Sequence, residues 1–170
     1  MTRLILLIGL PGSGKSSLAS KLLSKWSRSQ VISTDAIRAQ LFGSESVQGS
    51  WGLVWSQVQR QLLEAIEHSP SPVAIYDATN AVQRHRIEAI ALARATGFTH
   101  ITGIWLDTPL NICLKRNRQR DRVVPEEVIL QMHASLLEAP PTLQDGLDRL
   151  IRYSPASTEI AIASVRKNRT

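Results

Sequence analysis

The sequence predicts an α/β domain, a parallel sheet with helices on both faces. Three observations predict it. Short apolar runs alternate with stretches of helical periodicity. The first run, residues 3–8, continues apolar from Leu4 to Ile8 without a break, as expected of a central parallel strand covered on both sides. No linker, internal repeat or low-complexity segment divides the 170 residues, a length that fits one core over 1–170.

Each element has its own signal. Residues 3–8 form the first strand and Gly9–Ser16 a glycine-rich turn. Ser16–Trp26 follows as a helix with Leu18, Leu22, Leu23 and Trp26 on one face. Val31–Ser33 is a short second strand ending at Thr34-Asp35, Asp35–Leu41 a short helix, and Gly43–Ser50 a polar loop. Trp51–His68 is a helix presenting Trp51, Val54, Trp55, Val58, Leu62 and Ile66 to the core. Ser69–Pro72 punctuates the chain before a third strand, Val73–Tyr76, which ends at Asp77. Ala81–Thr96 is a helix stopped by Gly97, and Phe98–Leu106 the fourth strand. Pro109–Arg118 and Pro125–Glu138 are helices that start on proline. Glu126 and Glu127 suit the positive end of the second, and Pro140-Pro141 ends it. Arg149–Tyr153 is a last strand. In 155–170, Ile160, Ile162 and Val165 fit a helix and a strand equally well.

Composition excludes several classes. A hydrophobic fraction of 43% with 20% charged residues is that of a globular domain, neither disordered nor fibrous. Arg3 and the apolar run after it imitate a signal peptide, but the run stops at Gly9, too short for a signal core or a membrane span. The single cysteine, Cys113, can form neither an internal disulfide nor a cysteine-rich zinc site, so a reducing, cytoplasmic setting is expected. A net charge of +6 favours acidic partners such as nucleotides or nucleic acids.

Gly9-Leu10-Pro11-Gly12-Ser13-Gly14-Lys15-Ser16 matches the Walker A pattern G-x-x-x-x-G-K-[ST]. Its glycines allow the main chain to turn around an anion, with Gly9, Gly12, Ser13 and Gly14 forming the cradle. The following helix adds its positive end, where Lys15, Ser16 and Ser17 complete the nucleotide contacts. Lys15 can reach the β- and γ-phosphates, and the Ser16 hydroxyl can ligate Mg²⁺. The match follows a buried strand and opens a helix, the context that separates a three-layer P-loop NTPase fold from a chance glycine-rich turn.

Two carboxylates lie at strand ends, the edge where open parallel sheets bind ligands. Asp35 is followed three residues on by Arg38, on the same helix face. A carboxylate there can accept the proton of an attacking hydroxyl, and the guanidinium can hold an anionic acceptor. The same spacing also suits a helix cap by Asp35 with an ion pair to Arg38. Asp77, preceded by apolar residues, has the form of a Walker B aspartate beside the metal and Ser16. Thr79 and Asn80 suit the cap of the next helix.

Lys115–Arg122 carries five cationic side chains and one carboxylate. Such a run suits a solvated helix face or a lid over about 115–125 that closes arginines on a triphosphate. Arg116 and Arg120, four apart, would project together from a helix. His68, His85, His100 and His133 have no metal-ligand spacing.

Together these segments, across most of 3–138, resemble the polynucleotide 5′-kinase branch of P-loop kinases, the kinase module of phage and bacterial end-healing enzymes. The likeness rests on Gly9–Ser16, Ser33-Thr34-Asp35-Ala36-Ile37-Arg38, Asp77-Ala78-Thr79-Asn80 and Arg116–Arg120 ahead of Glu126-Glu127-Val128-Ile129. It implies an ATP- and Mg²⁺-dependent transfer to the 5′-OH of DNA or RNA. In that scheme Lys15 acts on the phosphates, Asp35 is the general base, Arg38 grips an acceptor phosphate, and Arg116 and Arg120 are lid arginines. Relatives in the group phosphorylate varied acceptors, so a small-molecule kinase for a sugar, nucleoside or antibiotic is the main alternative, and a non-catalytic nucleotide switch a further one. Trp51 and Trp55, one turn apart, suit either core packing or base stacking.

Overall fold

The computed structural model of the chain describes residues 1–26, 29–68 and 72–154, with the backbone of 160–164. Its sheet has six strands in the order β2-β3-β1-β4-β5-β6. They are β1 (Arg3–Ile8), β2 (Ser29–Ser33), β3 (Val73–Asp77), β4 (His100–Leu106), β5 (Arg149–Tyr153) and β6 (Ile160–Ser164). The first five run parallel, and β6 lies antiparallel to β5, with Leu150 opposite Ala163. The ambiguous stretch around Ile160 and Ile162 is thus an edge strand that reverses the otherwise parallel order. Val165 and the Ser69–Pro72 turn, except Pro72, lie outside the described residues.

Strand β1 shows why its sequence is apolar throughout. Leu4, Leu6 and Ile8 point into one core cluster, while Ile5 and Leu7 point into another across the sheet. Helix α1 (Lys15–Lys25) covers the second cluster through Ala19, Leu18 and Leu22. Leu23 and Trp26, expected on its inward face, are exposed. The short Ala19 brings the helix close to the sheet and turns those two side chains outward. The opposite face is covered by α3 (Trp51–Glu67) and α4 (Gln83–Thr96), with α6 (Glu126–Glu138) beside them. Val54, Val58 and Leu62 of α3 are buried as expected, but Trp51 is 46% exposed and stands outside the core. The remaining helices are α2 (Thr34–Phe42) and α5 (Leu110–Asn117), with a 3₁₀ turn at Leu143–Asp145.

Helix boundaries follow local chemistry more closely than periodicity could. Ser33, not Asp35, caps α2, its hydroxyl accepting from the Ala36 amide at 3.3 Å. Neither Thr79 nor Asn80 caps α4; Val82 holds that position without a side-chain bond. Asn80 instead adopts φ 48° and donates through Nδ2 to the Leu7 carbonyl at 2.7 Å, tying the end of β3 to β1. The Gly9 amide donates to the Thr79 carbonyl at 2.9 Å in the same tie. Behind this turn, the fully buried Arg86 donates to Asp145 at 2.9 Å and to the carbonyls of Asn80, Ala81 and Ala139. A buried guanidinium with this many partners is satisfied, and it fixes the turn that carries Asn80. Gly97, at φ 111°, ends α4 as expected.

Register aligns the functional edge. Ser33 pairs with Asp77, and Ile8 with Trp105 across β4. The phosphate loop, Asp35 and Asp77 therefore emerge at the same carboxyl edge of the sheet.

Candidate phosphate-transfer site

The loop between β1 and α1 is built around glycines that no other residue could replace without movement. Gly12 has φ 81°, and a Cβ there would lie 2.5 Å from the Cys113 carbonyl oxygen on α5. Gly14, at φ 101°, occupies the N-cap of α1 and directs the amides of the first turn outward. An anion cradle results at the positive end of an eleven-residue helix. Ser13 is buried, and its carbonyl accepts from Thr108 Oγ1 at 3.0 Å, which pins the loop to the segment after β4.

Lys15 is buried and folds back on the loop, Nζ donating to the Leu10 carbonyl at 2.7 Å. Burial lowers its ammonium to about 8, with Asp77 opposing the shift. A nearby phosphate would restore the charge, so binding above pH 8 requires proton uptake. Nucleotide affinity should therefore fall about tenfold between pH 7 and pH 9, with proton uptake on binding at pH 8.5 visible as a buffer-dependent heat in calorimetry. The same shift has the opposite sign for the ligand-free fold. The unfolded chain holds this proton more tightly, so the Lys15 contribution to stability rises from pH 8 towards 10.5.

Asp77 ends β3 beside Ser16, whose hydroxyl hydrogen bond pulls its acidity one way while burial, the larger effect, raises its pKa. Ser16 and Asp77 form an oxygen pair suited to a hard divalent cation that keeps waters in its shell. Among the described residues no group of three or more His, Cys, Asp and Glu side chains could hold a metal by itself. The donor set thus fits a Mg²⁺ that arrives with the nucleotide.

Asp35 lies between two guanidinium groups. Arg38 Nη1 approaches Oδ1 at 3.2 Å and Arg122 Nη1 approaches Oδ2 at 2.8 Å. The first contact is the expected i,i+3 pair. The second brings the end of the cationic run to the base of α2. Arg38 Nε is buried without a hydrogen-bond partner among the described residues, an orphan donor next to the carboxylate.

The cationic run does not continue as one helix. α5 ends at Asn117, so Arg116 sits on the helix and Arg120 in the turn beyond it. Asn117 closes that turn by donating to the Val124 carbonyl at 2.8 Å and accepting from the Val124 amide at 3.0 Å. The two arginines still converge, because the turn folds back over the loop. Arg116 Nη1 donates to the Gly12 carbonyl at 3.3 Å. Arg118 points elsewhere, to Glu126 at 2.6 Å, as an exposed surface pair of little energetic weight.

Two clefts meet here. One, of about 760 Å³, runs from Gly12, Gly14 and Ser17 past Arg116 to an apolar wall of Ile104, Ile151 and Tyr153. The other, of about 410 Å³, holds Asp35, Arg38, Trp51, Trp55, Asp77 and Arg122. Lys15, Ser16 and Arg120 line both. Gly9 is buried behind the loop and lines neither, acting through the backbone it turns.

Sequence reasoning missed Arg122, Asn80 in its tying role, and His85 and Glu88, which line the second cleft. Arg122 sat within a visible charge run, but its partner is distant in sequence and no local spacing marks the pair. The glycine-like φ of Asn80 is a property that asparagine tolerates better than most residues, so its place after a strand-end aspartate was the available signal.

A family described as an AAA domain (AAA_33) matches residues 4–140. L-seryl-tRNA(Sec) kinase of Methanococcus maripaludis is 30% identical over 139 residues, covering 76% of this chain and 51% of that protein. The chain therefore spans about half the length of this curated relative. Among solved structures, the Pnkp1/Rnl/Hen1 RNA repair complex superposes with a TM-score of 0.65 at 19% identity, over 81% of this chain and 44% of that one. The Mycobacterium tuberculosis APS kinase CysC, in complex with AMPPNP and APS, superposes with a TM-score of 0.57 at 21% identity, over 91% and 88%. Among the described residues no helix is long and apolar enough to cross a membrane. The phosphate loop, the sheet order and these matches converge, and the chain belongs to the AAA domain family AAA_33 with the fold of a P-loop kinase.

Proposed function

We propose that the protein is an ATP-dependent kinase that transfers the γ-phosphate to an acceptor hydroxyl, the 5′-OH of a polynucleotide. The observation that carries this reading is the meeting of two clefts at Lys15, Ser16 and Arg120. A donor site and an acceptor site that share a lysine, a metal-ligating hydroxyl and an arginine are what in-line transfer between two bound molecules requires. In this reading ATP occupies the larger cleft, with its phosphates against the loop amides and Lys15. Ser16 and Asp77 hold Mg²⁺, which would bridge phosphate oxygens and offset their charge. Asp35 accepts the proton of the attacking hydroxyl, after acceptor binding draws Arg38 or Arg122 away from its oxygens. Arg116 and Arg120, in a lid over about 115–125, stabilise the charge that develops on transfer.

The polynucleotide acceptor is supported by the smaller cleft's cationic wall of Arg38, Arg120 and Arg122 and by the orphan Arg38 Nε. The names of two relatives, a seryl-tRNA kinase and an RNA repair complex, agree with it. The APS kinase likeness favours a second reading, a small acceptor held in a closed pocket.

Salt separates the two. With two or three phosphates contacted, the KM of a single-stranded 5′-OH oligonucleotide should rise about 5- to 20-fold between 50 and 200 mM salt. A small neutral acceptor should change little, and a salt-independent KM would sink the polynucleotide reading. Arg38→Ala should raise the KM of a 3′-phosphorylated acceptor more than that of ATP. A rise confined to ATP would assign Arg38 to the donor.

A further inference from the structure

One feature of the smaller cleft is not used by phosphate transfer. Trp51 opens α3 and is 46% exposed, while Val54, Val58 and Leu62 on the same helix are buried. An indole left half in water forfeits much of the stabilisation that its burial would bring, so packing alone does not account for its position. Its ring lies 5.7 Å from that of Trp55 at an interplanar angle of 31°, and the Arg38 guanidinium stands 5.7 Å from its centroid. Trp55 packs partly against the core and props the outer ring from behind.

We infer that Trp51 is the stacking platform for the nucleobase of the acceptor nucleotide whose hydroxyl faces Asp35. The inference rests on the polynucleotide reading above. Arg38 links the parts: it touches Asp35 at 3.2 Å and approaches Trp51 on its other side. A carboxylate for the hydroxyl, a guanidinium for the phosphate and an aromatic face for the base thus lie within the span of one nucleotide. Every base offers a π-face, so such a platform binds without reading sequence. It would select for a base at the reacting end, which a sugar or a phosphate alone lacks.

The test compares 5′-OH oligonucleotides whose terminal nucleotide carries its base with the same oligomers made abasic there. For the wild-type protein, loss of the terminal base should raise the acceptor KM about 5- to 100-fold, the range expected for one stacked base. Trp51→Leu should bring the KM of the intact acceptor to the abasic level, add nothing for the abasic one, and leave the KM of ATP unchanged. Trp51→Phe should keep part of the preference. Equal use of intact and abasic ends by the wild type would overturn the inference, and so would equal KM increases for both acceptors in Trp51→Leu. If Trp51→Leu does not fold, the wild-type comparison and Trp51→Phe still decide. Failure to phosphorylate any oligonucleotide would instead remove the polynucleotide reading itself, and the platform with it.

Discussion

Replacing Lys15 with alanine is expected to lower kcat by at least about 10²- to 10³-fold, the cost of losing one preorganised donor to the transferring phosphate. The fold should survive the change. Lys15 is buried as a cation that its surroundings disfavour, since burial lowers its pKa to about 8. Its hydrogen bond to the Leu10 carbonyl closes a loop that the Gly9, Ser13 and Thr108 contacts already hold. Alanine removes a desolvated charge and should leave the thermal midpoint level or slightly higher. Kinetics and a thermal melt on the same sample check both halves. A midpoint that drops in step with activity would make Lys15 a structural residue.

The second large effect concerns Asp35. Asp35→Asn keeps the shape of the side chain and its place in the first turn of α2, while removing its capacity to take a proton. Transfer should fall about 10²- to 10⁴-fold, the usual contribution of a positioned base. Nucleotide binding should change little, because Asp35 lines only the smaller cleft. Single-turnover transfer with a parallel nucleotide titration measures the two separately. Near-normal turnover would reduce Asp35 to an anchor for Arg38 and Arg122.

The legible part of this molecule was the part encoded by local pattern. An unbroken apolar β1, a glycine turn, a lysine and a hydroxyl residue specify the phosphate cradle within fourteen residues, counting from Arg3 to Ser16. The strand-end positions of Asp35 and Asp77 followed from the alternation of strands and helices. What stayed hidden depends on contacts between distant segments. The pairing of Arg122 with Asp35 arises because Asn117 ties the turn back at Val124, and neither residue advertises that partner. Trp51 satisfied the helical period and so looked like core. Only the end of α3 reaching past the sheet leaves it in the cleft. Cap assignments at Asp35 and Asn80 went wrong for a related reason. Serine one turn-position earlier competed for α2, and a tertiary bond to Leu7 engaged Asn80.

Transfer from γ-labelled ATP, with 5′-OH DNA, 5′-OH RNA, nucleosides and sugars offered in parallel, tests the joined clefts most directly. The arrangement of Lys15, Ser16 and Arg120 between them predicts label at the 5′ end of the oligonucleotides, with nucleosides and sugars labelled far less. Label released only as inorganic phosphate, whichever acceptor is present, would contradict it.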